Sequence, residues 1–488
     1  MGLPGARSGT LVTTQRSLAR DMGATVGRHL ASVVVALLMT PFLVRSIGVA
    51  RMGFWSLLGT SAFLVGLSDL GLTAATLRVA AGSDPGAAKR AARLAALVTG
   101  VISIPVVVVC GAWLFGVAHG LPPTQWKDAQ IAVALALVAG IANAACQPAR
   151  AYAQGQGRLV LLAKARTAGS MAQLFVTLLA LWIRPGLMAA AAGYATCVVV
   201  EGAISLLATF DGTDSRGLPT RIERRALFAV GRSALLTNVS VALCIRADVL
   251  VLQRIASLDV IGAYSVASRV VDQGYTLVKQ VSAALVPRLG QRSKDRESVV
   301  RFGTMLLGAI TAAPLAALAV AGAPLVVLWA GHAVDQPILP VALAWLSVAA
   351  IVASVEEVAC SSLAIGGDYR MVTKAILAGT LTNVVLSVAG GWIFGPGAVA
   401  AATAVGNVVM ALLVWQAIAR ANHWSIGTVV SAMVPAALAA SVSGLLAAVG
   451  ARALLHPVGV IAVAAAAGLG AAFLRLRGAW PAKEPVTS

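Results

Sequence analysis

Charge is what this 488-residue chain has least of: 11% of its residues are Asp, Glu, Lys or Arg, with 18 acidic against 37 basic. Soluble globular domains carry about 25% charged residues, so a water-facing surface of ordinary polarity is excluded for a chain of this size. Cysteine and histidine number five each. Cys110, Cys146, Cys197, Cys244 and Cys360 all lie in apolar segments without CxxC spacing, which excludes a disulfide framework and reads as small core residues. The histidines form no HxxxH or HExxH pattern, so no metal site is expected. A phosphate-cradling GxxxxGK[ST] loop, a serine–histidine–acid arrangement and a DxD-type metal-nucleotide site are all missing. Loops stay below about 20 residues, which leaves no room for a soluble catalytic domain. No enzyme activity, no cofactor and no nucleic-acid partner are expected.

What fills the chain instead is hydrocarbon: 59% of residues are hydrophobic and the mean hydropathy is +0.88. Apolar stretches able to cross about 30 Å of hydrocarbon, at roughly 20 residues each, occur at 24–44, 53–78, 91–116, 129–150, 159–183, 187–210, 227–253, 259–287, 299–329, 338–365, 371–394, 398–419, 426–449 and 455–474. The fold class expected is all-α, a polytopic membrane protein of about 14 transmembrane helices. Pro314 and Pro324 interrupt the ninth stretch.

The basic residues give the orientation. With the N-terminus cytoplasmic, 27 Lys and Arg fall on the inside, among them Arg7, Arg90, Arg150, Arg158, Arg166, Arg225, Arg292, Arg370 and Arg475, and 6 fall outside. Both termini are therefore expected in the cytoplasm of a cell whose inner membrane the chain spans. The first apolar run is long enough to remain as an anchor, so no cleavable signal is expected.

Two stretches about 210 residues apart repeat one another. Lys164-Ala165, Ala168-Gly169, Trp182-Ile183, Pro185-Gly186 and Ala189-Ala190 recur as Lys374-Ala375, Ala378-Gly379, Trp392-Ile393, Pro396-Gly397 and Ala400-Ala401. Val26-Gly27-Arg28 recurs as Val230-Gly231-Arg232, and Gly53-Phe54-Trp55-Ser56 as Gly262-Ala263-Tyr264-Ser265. A unit of six spans is even, so both copies enter the membrane in the same direction, a parallel repeat. The domains expected are a tail at 1–23, an N-lobe at 24–210, a linker at 211–226, a C-lobe at 227–420, two added helices at 421–475 and a tail at 476–488.

The eighth stretch carries a polar stripe at helical spacing, Ser265, Arg269, Asp272, Thr276 and Lys279. An ionisable group at the bilayer centre costs roughly 2.5–3.5 kcal/mol on insertion scales, so such a row belongs where it pairs or lines a wet cavity. Arg269 and Asp272, three residues apart, also fit simple mutual neutralisation. Arg28, Arg246, Arg269 and Lys279 are the candidate substrate-binding residues, because guanidinium and ammonium groups hold phosphate oxygens. Arg28, near a helix start, equally fits an interfacial anchor. Asp69, Asp248, Asp272, Ser265 and Thr276 are candidate lining or pairing residues, and Asp69, preceding Leu70-Gly71, would also suit a helix irregularity. Glu201, Glu356 and Glu357 suit either coupling to an ion or packing between helices, packing being the simpler reading.

Pro41, Arg45, Gly48, Gly53, Trp55, Asp69-Leu70-Gly71 and Arg78 together resemble the opening helices of Wzx-like polysaccharide flippases. Arg246-Ala247-Asp248, Gly262-Ala263-Tyr264-Ser265 and Val286-Pro287-Arg288 resemble that family's seventh and eighth helices, and the similarity runs from about residue 24 to 426. The family belongs to the multidrug/oligosaccharidyl-lipid/polysaccharide exporter superfamily. The resemblance implies alternating access of two lobes that carry a polyprenyl-diphosphate oligosaccharide across the cytoplasmic membrane, with cationic residues on the diphosphate. Its implied partners are the lipid-linked oligosaccharide, membrane lipids and other polysaccharide-assembly proteins. Small-residue-rich stretches at 436–448 and 462–472 would offer a groove for the lipid tail. Competing readings are a multidrug-type or other gradient-driven exporter, a membrane-embedded glycan polymerase or ligase, and a non-transporting scaffold.

Overall fold

In the computed structural model, residues 33–82, 85–209, 220–290, 296–365, 369–453 and 456–477 are described. Arg28, both tails and most of the expected linker lie outside them. Among the described residues there are helices and no strands. In chain order the α-helices are α1 (Val33–Ile47), α2 (Val49–Gly66), α3 (Leu72–Gly82), α4 (Pro85–Ala118), α5 (Trp126–Gly155), α6 (Leu159–Ile183), α7 (Leu187–Thr209) and α8 (Arg221–Ile255). They continue with α9 (Leu258–Gly290), α10 (Arg296–Ala330), α11 (Ile338–Ile365), α12 (Tyr369–Phe394), α13 (Pro396–Asn422), α14 (Ile426–Arg452) and α15 (Pro457–Arg477).

The boundaries follow local chemistry. Pro85, Pro396 and Pro457 open their helices, where the missing N–H costs nothing and the fixed φ suits the first turn. The Ser425 hydroxyl caps α14 by accepting from Thr428 N. Pro105, Pro148, Pro314, Pro324 and Pro435 lie inside helices without ending them. In a bilayer the alternative to a helix is an unsatisfied backbone, which costs more than one lost bond. Among the described residues ten helices are long and apolar enough to cross a membrane.

One expected span is broken. The stretch 53–78 divides into α2, a 3-10 turn at Leu67–Asp69, and α3. Leu70 (φ 50°) and Gly71 (φ 77°) both take left-handed backbone between them. The Asp69 carboxylate then accepts Thr73 N at 2.7 Å, capping α3 from within the turn.

The helices form two compact units that do not follow chain order: Met1–Met39, Leu64–Trp113 and Asp128–Leu235 in one, Thr40–Phe63, Leu114–Lys127 and Leu236–Ser488 in the other. We call them the first and second units. In the first, α6 and α7 form a hairpin held at its tip by Asp128, whose carboxylate accepts Leu187 N (2.6 Å) and Met188 N (3.4 Å). A Cβ at Gly186 would stand 2.7 Å from that carboxylate, so the glycine of the Pro185-Gly186 motif makes room for the cap.

In the second unit α12 and α13 form the corresponding hairpin. Gly379 and Gly406 face one another there, a Cβ on either lying 2.7 Å from the other's carbonyl oxygen. The duplicated Gly53 and Gly262 also meet in this unit, reciprocally. A Cβ on Gly53 would overlap the Leu258 carbonyl, and one on Gly262 would overlap that of Val49. Each glycine thus packs on the residue four before its counterpart.

Apolar side chains left exposed lie on helical stripes. Leu97, Val101, Ile104 and Val108 mark one face of α4, and Leu381, Val385, Val388 and Trp392 one face of α12. The spacing of three and four keeps each row on one side, which is the side a lipid would cover. The repeated Trp182 and Trp392 are 85% and 70% exposed at equivalent helix ends, the position of interfacial anchors.

Candidate functional site

The polar stripe of α9 does not act as one surface. Ser265 is buried and its hydroxyl has no hydrogen-bond partner, whereas Asp272 and Lys279 are exposed, with Arg269 and Thr276 half-buried between. Thr276 returns its hydroxyl to the Asp272 carbonyl at 2.8 Å, one turn back. Asp272 and Lys279 reach the wall of a cavity of about 260 Å³ in the second unit, together with Ser268 and Tyr275.

That cavity is richer in carboxylates than in cations. Asp248 from α8, Asp272 from α9, and Glu356 and Glu357 from α11 line it beside Lys279. Of the three candidate substrate-binding residues among the described residues, Lys279 lines it, its ammonium 4.7 Å from the centre of the Tyr275 ring, and Arg246 and Arg269 do not.

Asp248 is buried and thoroughly engaged. Tyr264 and Thr403 donate hydroxyls to its Oδ2, each at 2.6 Å, and Asn383 donates its amide to Oδ1 at 3.2 Å. The carboxylate therefore joins α8, α9, α12 and α13 through charge-assisted bonds. Ser387 continues the network onto Asn383 Oδ1 at 2.9 Å. Glu357 accepts the Tyr275 hydroxyl at 2.9 Å. Glu356, 3% exposed, leaves its Oε2 buried without a hydrogen-bond partner.

Arg246, two residues before Asp248, turns elsewhere. Its guanidinium sits 5.3 Å from the Phe63 ring centre, and its Nε is buried without a hydrogen-bond partner. Arg269 lies within electrostatic range of Arg246 and Asp272, and Arg246 within that of Asp272.

The remaining candidates lie in the first unit. Asp69 is spent on capping α3. Glu201 of α7 receives Arg166 Nη1 at 2.8 Å and Arg150 Nε at 3.5 Å, a triad joining α5, α6 and α7. Arg150 also donates to Asn143 Oδ1 at 2.7 Å. Arg150 and Arg166 count as cytoplasmic charges in the sequence, yet Arg150 is largely buried. Among the described residues no group of three or more His, Cys, Asp or Glu side chains could hold a metal ion.

These features define a class: a multi-pass, all-helical membrane protein with polar side chains buried between its helices. No family model and no curated protein matches the sequence. Solved structures match the fold. The lipid II flippase MurJ in an inward closed conformation superimposes with a TM-score of 0.72 at 11% identity, over 94% of this chain and 99% of that one. An inward-facing multidrug resistance MATE family transporter of the MOP superfamily gives 0.62 at 14%, over 82% and 96%. A MOP superfamily transporter from Pyrococcus furiosus, described as having a binding pocket of reverse polarity, gives 0.61 at 15%, over 83% and 94%. The chain therefore has the fold shared by MurJ and the MATE transporters.

Proposed function

We propose that the protein is a flippase that moves a polyprenyl-diphosphate-linked oligosaccharide across the cytoplasmic membrane by alternating access. The observation that carries this reading is Arg246 on α8, whose guanidinium Nε is buried without a hydrogen-bond partner, with Arg269 on α9 within electrostatic range of it. A guanidinium presents its N–H donors in a planar fork that matches the oxygens of a diphosphate. The buried, unbonded Nε of Arg246 leaves donor capacity there. Arg28 and Lys279 belong to the same proposal, Arg28 by its position in the sequence and Lys279 as a point charge further along α9.

A lipid tail needs an apolar seat, and two hollows in the second unit suit one. The first, about 250 Å³, lies among α9, α10 and α15 and is lined by residues such as Gly274, Ile310, Leu315 and Ile461. The second, about 400 Å³, lies between α10 and α15 and shares Ile310. The expected groove involved both added helices; here α15 lines the hollows and α14 does not. Two prolines, Pro314 and Pro324, interrupt the ladder of α10 beside them, and the bend they permit suits a helix that a tail slides along.

The test is reconstitution into vesicles with a labelled lipid-linked oligosaccharide. A flippase exposes the label on the far leaflet with glycan length unchanged. A lengthened glycan identifies a polymerase or ligase, and an unmoved one a scaffold or a carrier of other cargo. Arg246→Gln and Arg269→Gln are expected to abolish movement while the protein still inserts and purifies normally.

A further inference from the structure

We propose that Phe63 is the positioning residue of the diphosphate site: its ring holds the Arg246 guanidinium in place without neutralising it. The proposal deepens the flippase reading and rests on it for the ligand, while the contact itself stands on its own geometry.

Two ways of holding an arginine between helices occur in this chain. In the first unit Arg166 meets the Glu201 carboxylate at 2.8 Å. That pairing spends N–H donors and cancels charge, so an arginine held this way has little left for an anion. In the second unit the Arg246 guanidinium lies 5.3 Å from the centre of the Phe63 ring, inside cation–π range. The negative face of a ring attracts a cation but carries no full charge. Arg246 is thereby anchored and still positive.

The surroundings offer little else to anchor it. Its Nε is buried without a hydrogen-bond partner. Asp272 acts on the group through its charge, yet among the described residues Arg246 makes no ion pair. Thr60 and Ser61 precede Phe63 on α2, but their hydroxyls return to the Ser56 and Leu57 carbonyls of the same helix at 2.9 and 3.1 Å. The half-buried Phe63 ring is what α2 brings to the arginine.

Holding matters because a loose arginine must surrender rotamer freedom when it closes on a ligand. A ring that fixes the fork beforehand removes part of that cost. The device recurs on α9, where Lys279 Nζ lies 4.7 Å from the Tyr275 ring centre and the Tyr275 hydroxyl is itself fixed on Glu357 at 2.9 Å.

The experiment places mono-, di- and trifluorinated phenylalanine at position 63 of the full-length protein in nanodiscs. Each fluorine drains negative charge from the ring face with almost no change of shape, so packing stays while the attraction fades. Calorimetry with inorganic pyrophosphate should show affinity falling stepwise, about three- to tenfold by the third fluorine, at an unchanged melting midpoint. Phe63→Leu should lose at least as much, and Phe63→Tyr should stay within about twofold of wild type. A second readout needs no ligand. In protein carrying isotopically labelled arginine, the Arg246 Nε–H resonance, identified by its loss in Arg246→Gln, should be shifted upfield by the ring and move back in Phe63→Leu. Affinity that stays flat across the fluorine series, or a resonance indifferent to Phe63→Leu, would overturn the proposal. A wild type that binds no pyrophosphate while the resonance still responds to Phe63→Leu strikes the flippase reading and upholds the hold on Arg246.

Discussion

Removing the Asp248 carboxylate should be the most damaging single change in the second unit. Asp248→Ala removes the acceptor that three donors share, the hydroxyls of Tyr264 and Thr403 and the amide of Asn383. Thr403 can fall back on the Val399 carbonyl, 3.2 Å away in its own helix. Tyr264 and Asn383 have no such alternative among the bonds seen here. Breaking a buried charged network by deleting one partner costs about 3–5 kcal/mol. Asp248→Asn keeps the volume and one oxygen and should cost less, about 1–3 kcal/mol. Thermal unfolding of purified protein, followed by tryptophan fluorescence, should rank wild type above Asn above Ala. Tyr264→Phe alone should lower the midpoint too, and the Asp248→Ala/Tyr264→Phe double variant should lose less than the sum, because one bond cannot be lost twice. An Asp248→Ala protein that melts with wild type, or strictly additive losses, would refute the reasoning.

Other consequences follow from the same geometry. Gly53→Ala and Gly262→Ala each place a methyl on a backbone carbonyl, and since backbone cannot rotate away, each should cost about 1–3 kcal/mol, read as a lowered melting midpoint. Glu201→Gln leaves Arg150 and Arg166 without their carboxylate. It should destabilise the protein by about 2 kcal/mol or more, less than a fully buried pair would because Arg166 is half exposed, and Arg166→Gln should restore part of the loss. Ile461→Trp fills the hollow among α9, α10 and α15; it should slow lipid movement several-fold with the melting midpoint held near that of wild type.

The helices were legible because span length is a property of the chain alone. The stretches 159–183 and 338–365 match α6 and α11 to the residue. The break at Leu70-Gly71 was harder to see, since hydropathy runs through it unbroken and only the Asp-Leu-Gly triplet marks the turn. Periodicity gives the face on which a charge lies, not the helix it meets. Asp248 and Thr403 are 155 residues apart, and nothing local links them. Asn383 and Thr403 were nevertheless visible as polar residues in apolar spans, which was the available signal. Arg150 and Arg166 went to the cytoplasmic side by position, and Glu201 on another helix turned them into a triad. The stripe of α9 was real as a spacing, but burial differs along it, so its members separate into an unpartnered serine (Ser265), a half-buried guanidinium (Arg269), a threonine bonded back to its own helix (Thr276), and two residues on a cavity wall (Asp272 and Lys279).

If Arg246 and Arg269 grip a diphosphate, the gain is read from a ratio of transport rates. Proteoliposomes would receive two lipids with the same tail and glycan, one joined through diphosphate and one through a neutral linkage. Wild type should move the diphosphate lipid at least about tenfold faster, the equivalent of 1.4 kcal/mol, and Arg246→Gln/Arg269→Gln should erase the difference. Equal rates for the two lipids in wild type, or a preference that survives in the double variant, would contradict it.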